Sequence, residues 1–176
     1  MPRFNKQPIY DRKQVAASAS QTLNFFKGFI GDTKLTTNMN NSGRIGNDQV
    51  FFADAISLHT EAGTPLGDVV KLLEYSFIDL KIASLPILEC PLFCIPDNSG
   101  IMGAVATTQS SERLQSWANG KAPYLPLSLS DEKGRPMPIP IGSDDSIECQ
   151  VIMAAGSAPS AAFYLWVFLH GVLTRK

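Results

Sequence analysis

The histidines and cysteines are the residues of this sequence that could act as nucleophiles, bases or metal ligands, and there are few of them. The 176 residues include two histidines, His59 and His170, and three cysteines. A cysteine thiol activated by a histidine is a nucleophile, so Cys149 with either histidine is the one pair that neighbouring strands could bring together. No sequence neighbour of Cys149 would lower the pKa of its thiol. Nucleophilic catalysis is therefore not predicted.

The cysteines and histidines also lack the spacing of a metal site. Cys90 and Cys94 have no second cysteine pair and no histidine near them, whereas structural zinc sites need four ligands. Two histidines are too few for a cupin-like centre with several converging ligands. We expect no metal and no other cofactor. The odd cysteine number predicts buried free thiols in a reducing compartment, with one disulfide plus a free thiol as the alternative.

Other motifs are typical of turns. The carboxylate pairs Asp131-Glu132 and Asp144-Asp145 lie among glycine, serine and lysine, and adjacent strand residues point to opposite faces. They are predicted to be solvated turns rather than acid–base pairs. Gly63-Thr64-Pro65-Leu66-Gly67 lacks the lysine of a phosphate-binding loop and is also predicted to be a turn. Without nucleotide-binding or hydrolase signatures, the sequence predicts that the protein is not an enzyme.

The elements that position these residues are predicted to be short strands. Twelve prolines and thirteen glycines argue against a helical bundle. Asp68 is predicted to cap a short helix over residues 69–74. The strands, including proline-broken extended segments, are predicted over residues 15–19, 21–26, 49–59, 77–82, 85–95, 124–129, 137–141, 147–153 and 162–173. Residues 101–123 stay undetermined, although 102–106 fits a strand. About eight strands at these spacings predict an all-β fold, a single antiparallel β-sandwich with one short helix.

The last predicted strand is apolar on both of its faces. Phe163, Leu165, Val167, Leu169 and Gly171 alternate with Tyr164, Trp166, Phe168 and His170. A strand of this kind lies centrally in a sandwich or has one face covered by a neighbouring subunit. Tyr164, Trp166 and Phe168 are therefore the candidate subunit interface.

Charge is scarce and unevenly distributed. Charged residues make up 18% of the chain, hydrophobic residues 44%, and the net charge is −1. This composition favours an assembly subunit and excludes a globally basic nucleic-acid binder. Basic residues concentrate near the start, so residues 1–14 are predicted to be an extended basic N-terminal arm and residues 15–176 the domain. Such an arm fits contact with a genome, an internal membrane or an acidic neighbour, or a solvated terminus.

Neither a signal peptide nor a membrane span is expected. Residues 1–14 are polar and contain no apolar signal segment. Residues 77–96 carry charges and prolines that a bilayer would disfavour. The apolar residues 161–173 are too few to span a bilayer as a helix.

Several phrases of the sequence form an ordered set. Those of the first half are Gln21-Thr22-Leu23-Asn24-Phe25-Phe26, Thr37-Asn38-Met39, Gln49-Val50-Phe51-Phe52, Asp68-Val69-Val70-Lys71-Leu72-Leu73, Phe77-Ile78-Asp79-Leu80-Lys81-Ile82 and Pro91-Leu92. Those of the second half are Gly134-Arg135-Pro136, Pro138-Ile139-Pro140-Ile141 and Phe168-Leu169-His170-Gly171-Val172-Leu173-Thr174-Arg175. In this order they resemble the jelly-roll major capsid proteins of tailless icosahedral bacteriophages. The resemblance covers most of residues 15–176.

The resemblance implies a viral jelly roll without catalytic residues. It implies a structural virion protein that self-assembles into the icosahedral capsid, is made in the host cytoplasm and has itself as its partner in a homo-oligomeric capsomer. Many members carry two rolls, whereas 176 residues hold one. A second capsid protein therefore stays open as a partner, as do the capsomer stoichiometry and a major or vertex role. The alternative is a non-enzymatic ligand-binding β-sandwich module, lectin-like or trimeric.

Overall fold

The computed structural model describes residues 3–18, 20–27, 33–39, 42–61, 63–97, 102–106, 112–116 and 125–175. It has two α-helices, α1 (Leu66–Glu74) and the single turn α2 (Cys94–Asp97), and a 3₁₀ turn at Ala155–Ser157. The strands are β1 (Arg3–Lys6), β2 (Ile9–Val15), β3 (Gln21–Phe25), β4 (Gln49–Thr60), β5 (Ser76–Ile82), β6 (Leu85–Pro91), β7 (Met102–Ala106), β8 (Glu112–Ser116), β9 (Leu125–Pro126), β10 (Leu129–Ser130), β11 (Pro136–Met137), β12 (Ile139–Ile141), β13 (Ile147–Met153) and β14 (Phe163–Arg175).

Eight of these strands form two antiparallel four-stranded sheets. In the first sheet, β14 and β4 are the inner strands, with β2 on one side and β12 on the other; β1 and β9 extend its edges. The second sheet has the order β3-β13-β5-β6. The two-stranded pairs β7–β8 and β10–β11 lie apart from these sheets.

The pairing of the eight strands is nested. The first strand pairs with the last (β2 with β14), the second with the seventh (β3 with β13), the third with the sixth (β4 with β12) and the fourth with the fifth (β5 with β6). This is one long hairpin rolled up, and the pairs β14–β4 and β13–β5 complete the sheets. The nested order is that of a jelly roll. The predicted fold class, a jelly-roll β-sandwich, is confirmed.

The core lies between the two sheets and follows the predicted alternation. On β5, Ile78, Leu80 and Ile82 are buried. On β14, every second residue from Phe163 to Leu169 is buried. Each fully buried aliphatic or aromatic side chain contributes about 1.5–3 kcal/mol. The inner faces of both sheets therefore hold the sandwich together, and their outer faces are left for other contacts.

The helix α1 differs from the prediction at its start. It begins at Leu66 after Pro65, so Asp68 lies in the first turn and is not the N-cap. The Asp68 carboxylate is buried and accepts hydrogen bonds from the backbone N and Oγ of Ser160, at 2.9 and 2.6 Å. The carboxylate that was predicted to cap the helix is therefore bonded to a loop far away in the sequence, and local sequence patterns do not reveal this contact.

The N-terminal segment belongs to the sheet, which corrects two predictions. Because β2 spans Ile9–Val15 and pairs with β14 along its length, the boundary between an arm of residues 1–14 and a domain from residue 15 is wrong. The strand predicted over residues 15–19 is also wrong, because the strand β2 ends at Val15.

Asp11 is buried in β2 and accepts hydrogen bonds from the backbone N of Phe26 and of Arg12, at 2.6 and 2.9 Å. Burial raises the pKa of this carboxyl, against the lowering effect of Lys13.

The proline-containing segments are shorter strands than predicted. Over residues 124–129, only Leu125–Pro126 and Leu129–Ser130 are strands, since Pro126 has no N–H for a continuous ladder. Residue 124 and the undetermined residues 107–111 and 117–123 lie outside the described part of the chain. Of the edge strand or extended crossing segment predicted over residues 85–95, Leu85–Pro91 form β6 at the edge of the second sheet, whereas Cys94 and Ile95 belong to α2. Among the described helices, none is long and apolar enough to cross a membrane.

Candidate interaction surface

The outer surface of the first sheet carries a continuous group of rings. Strand register places Trp166 between Arg12 of β2 and His59 of β4, and Phe168 between Tyr10 and Ser57. Residues paired directly across an antiparallel sheet point to the same side. We call this surface the aromatic face; it is formed by Tyr10, Arg12, His59, Tyr164, Trp166 and Phe168.

The side chains of the aromatic face contact one another. The guanidinium carbon of Arg12 lies 4.2 Å from the ring centre of Tyr164 and 5.3 Å from that of Trp166, within the range of cation–π attraction. The ring centres of His59 and Trp166 are 5.8 Å apart, and so are those of Tyr10 and Phe168. These contacts leave the rings half-buried, with His59 exposed. The face is therefore a preformed, largely apolar surface with one fixed cation.

The structure brings the three predicted interface residues onto this one face. Tyr164, Trp166 and Phe168 alternate along β14 with buried core residues, as the sequence indicated. Sequence reasoning missed Tyr10, Arg12 and His59 as their neighbours. The sequence does contain a signal for the strand β2, since Tyr10 and Arg12 alternate with Ile9 and Asp11. The signal was obscured because Asp11, which lies on the buried side, is charged. The role of these residues in a subunit contact stays a prediction.

His170 forms a serine–histidine contact that the sequence did not indicate. Its Nε2 lies 2.7 Å from Oγ of Ser57. Burial lowers the pKa of His170; Asp54 opposes this effect and Lys6 adds to it. Such a pair can activate a serine whose Oγ is open to a substrate, whereas Ser57 is only 9% exposed. The hydrogen bond satisfies two polar groups in the sheet.

The three thiols are free, so the structure has no disulfide. Cys149 is buried in the core between the sheets, and burial raises the pKa of its thiol. The histidines lie on the outer side of the opposite sheet, so the pair of Cys149 with a histidine does not form. Cys90 and Cys94 are half-buried; burial, and then the neighbouring Cys94, raise the pKa of Cys90 to about 11. The raised pKa values make the thiols of Cys90 and Cys149 weaker nucleophiles than an ordinary cysteine.

Three carboxylates, those of Asp131, Asp145 and Glu61, accept hydrogen bonds within the structure. Asp131 accepts hydrogen bonds from backbone N of Lys133 and Arg135 and from Nε of Arg135, and the Arg135 contacts lower its pKa. Asp145 accepts from the backbone N of Gly142. Glu61, two residues after His59, accepts from the backbone N of Tyr164. No metal-binding group of three or more such side chains occurs within the described residues.

The outer surface of the second sheet has a different character. Glu148 is paired with Lys81, and Asp79 with Glu89, so these four charged residues share one side. Lys81 Nζ lies 2.6 Å from Asp79 Oδ2. In the next row, Phe77 and Ile152 are paired and are 37% and 43% exposed. We call this surface the acidic face; it is formed by Phe77, Asp79, Lys81, Glu89, Glu148 and Ile152.

Comparisons with known proteins do not identify the chain: no family model, no curated protein and no solved structure matches it. The jelly-roll topology and the two outer faces are therefore the observations from which function is inferred.

Proposed function

We propose that this protein is a structural virion protein that self-assembles into an icosahedral capsid shell, with Tyr164, Trp166 and Phe168 in a contact between subunits. The aromatic face is the observation that carries the proposal. A fold alone does not define a function, and this face is a cluster of rings on the outer surface of a sheet that folding leaves half-buried.

The composition of the aromatic face fits a protein–protein contact. Tyrosine, tryptophan and arginine are enriched in the energetically dominant centres of interfaces. Tyrosine and tryptophan bury much area with few rotatable bonds. The rings here are held by one another and by Arg12. Little side-chain freedom would be lost when a second surface covers them. A scarcity of charge in the whole chain supports the same conclusion.

The alternative, a ligand-binding module on the same fold, is favoured by one feature. A groove of about 370 Å³ lies beside β4 and is lined mainly by apolar residues, including Phe52, Leu127, Met137 and Val172. This volume falls within the range of small-molecule sites. A module of this kind would form a small closed oligomer whose size does not grow with protein concentration.

Assembly of the purified full-length chain tests the proposal. We expect light scattering after size-exclusion chromatography to show species that grow with concentration, and negative-stain images to show rings, sheets or shells. Trp166→Glu, and His59→Glu at an exposed position of the same face, should stay folded by circular dichroism and lose this growth. Phe93→Glu is the matched control, because Phe93 is 48% exposed and lies outside the aromatic face.

A wild-type monomer or closed trimer at every concentration and salt would contradict the shell proposal and favour the ligand-binding module. Normal assembly of both Trp166→Glu and His59→Glu would exclude the aromatic face as the contact. If Trp166→Glu unfolds, His59→Glu decides the question, since the exposed His59 side chain has little part in the core.

A further inference from the structure

We propose that the aromatic face of one copy packs on the acidic face of a second copy, so that subunits associate head to tail. This inference rests on the proposed function and names the partner surface of the same contact. The argument depends on the charge and apolar content of the two faces.

The cation of the aromatic face is arranged to receive a carboxylate. The guanidinium carbon of Arg12 lies over the rings of Tyr164 and Trp166. The rings attract the cation through their faces and are far weaker hydrogen-bond acceptors than a carboxylate, so the N–H groups of the guanidinium remain donors. A carboxylate from a covering surface is the acceptor that matches this geometry best.

The acidic face offers carboxylates in excess. Asp79, Glu89 and Glu148 share it with a single ammonium group, that of Lys81. Lys81 is bonded to Asp79, and all three carboxylates raise its pKa. Glu89 and Glu148 are exposed, so two carboxylates remain available to an incoming guanidinium.

Apolar side chains complete the match. The exposed pair Phe77 and Ile152 lies one row away from Asp79 and Glu89, and two rows away from Glu148, on the acidic face. On the aromatic face, Phe168 and Tyr10 lie one row away from Arg12. When Arg12 meets Glu89, the rings therefore have an apolar surface to cover in the next row, two residues further along the strands.

Pairing of two identical faces is disfavoured by charge. Two aromatic faces related by a two-fold axis would bring two Arg12 guanidinium groups together, and two acidic faces would oppose their carboxylates. Like charges placed against each other in an interface cost several kcal/mol. A contact between unlike faces avoids this cost and leaves each associated pair with one free aromatic face and one free acidic face, which generates rings or extended arrays.

Charge reversal tests the pairing in the full-length chain. Arg12→Glu alone and the double variant Glu89→Lys/Glu148→Lys alone should each raise the concentration needed for assembly by about tenfold or more. An equimolar mixture of the two should recover assembly, because reversed faces are complementary to each other. Glu132→Lys/Asp144→Lys is the control, since both residues are exposed in turns away from the two faces. Added salt should weaken wild-type assembly.

The outcomes separate this inference from the proposed function. If Glu89→Lys/Glu148→Lys assembles as the wild type does, the acidic face is not the partner, although the shell proposal stands. If the wild type does not assemble, the shell proposal itself fails. Loss of folding in Arg12→Glu, seen by circular dichroism, is resolved by Arg12→Gln, which should weaken assembly and reduce its dependence on salt. Unchanged assembly of a folded Arg12→Gln overturns the inference.

Discussion

Gly171 of β14 lies directly against the backbone of Phe52 in β4. A Cβ atom on Gly171 would sit 2.1 Å from the carbonyl oxygen of Phe52 and 2.7 Å from Cζ of Phe51. The register of β14 on β4 shifts between His170 and Gly171, and such a bulge lets two backbones approach closely where a side chain is missing. The central strand pair of the first sheet therefore requires glycine at this position.

We predict that Gly171→Ala lowers the free energy of unfolding by roughly 2–3 kcal/mol, because the added methyl group meets backbone atoms that cannot move aside. Urea denaturation measures the change. Gly67→Ala is the matched control: nothing lies within 4 Å of a Cβ at Gly67, and alanine in α1 should stabilise the helix by about 0.5–1 kcal/mol. Equal changes in the two variants would contradict the close contact at Gly171.

The hairpin between β5 and β6 turns through two residues in the left-handed region. Ala83 and Ser84 have φ values of 50° and 65°, and Ile82 is paired with Leu85 across the turn. A two-residue turn with both φ positive favours Asn-Gly. We predict that Ala83→Asn/Ser84→Gly raises the free energy of unfolding by about 1 kcal/mol. Thermal unfolding should show a higher midpoint, whereas Ser84→Val should lower it; the opposite order would exclude this turn geometry.

The depressed pKa of His170 makes stability depend on pH. Because burial lowers this pKa in the folded protein, the unfolded chain binds the proton first as the pH falls. The free energy of unfolding should therefore decrease as the pH falls through the ordinary histidine value of 6.5. Denaturation at a series of pH values should show this decrease in the wild type and a smaller one in His170→Gln. An unchanged slope in His170→Gln would contradict the prediction.

Those parts of the fold that have one buried face could be predicted from the sequence. On β5 and β13 every second residue is buried, and these buried residues are apolar with the exception of Ser76. The strand β2 could not be recognised in the same way, because its inward positions include Asp11. That carboxylate is accommodated in the core by the backbone N–H groups of Arg12 and of Phe26, which directly follows β3, and by the ammonium group of Lys13.

The candidate surface was predictable only in part, for a related reason. The two-faced pattern of β14 is local, so Tyr164, Trp166 and Phe168 could be named from it. Their neighbours Arg12 and His59 come from β2 and β4, and strand register places them there. The contact of Ser57 with His170 likewise depends on the pairing of distant strands, with the bulge directly after His170. Local sequence patterns do not encode register between strands far apart in the chain.

The position of β14 has a consequence for the synthesis of the protein. This strand lies between β2 and β4, and β13 lies between β3 and β5, so both sheets lack an inner strand until the last quarter of the chain has left the ribosome. At about 5–20 residues per second, the interval between completion of β4 and of β14 is roughly 6–23 s. During this time the apolar sides of the earlier strands have no native neighbour. We therefore expect chaperones to bind the nascent chain during this interval.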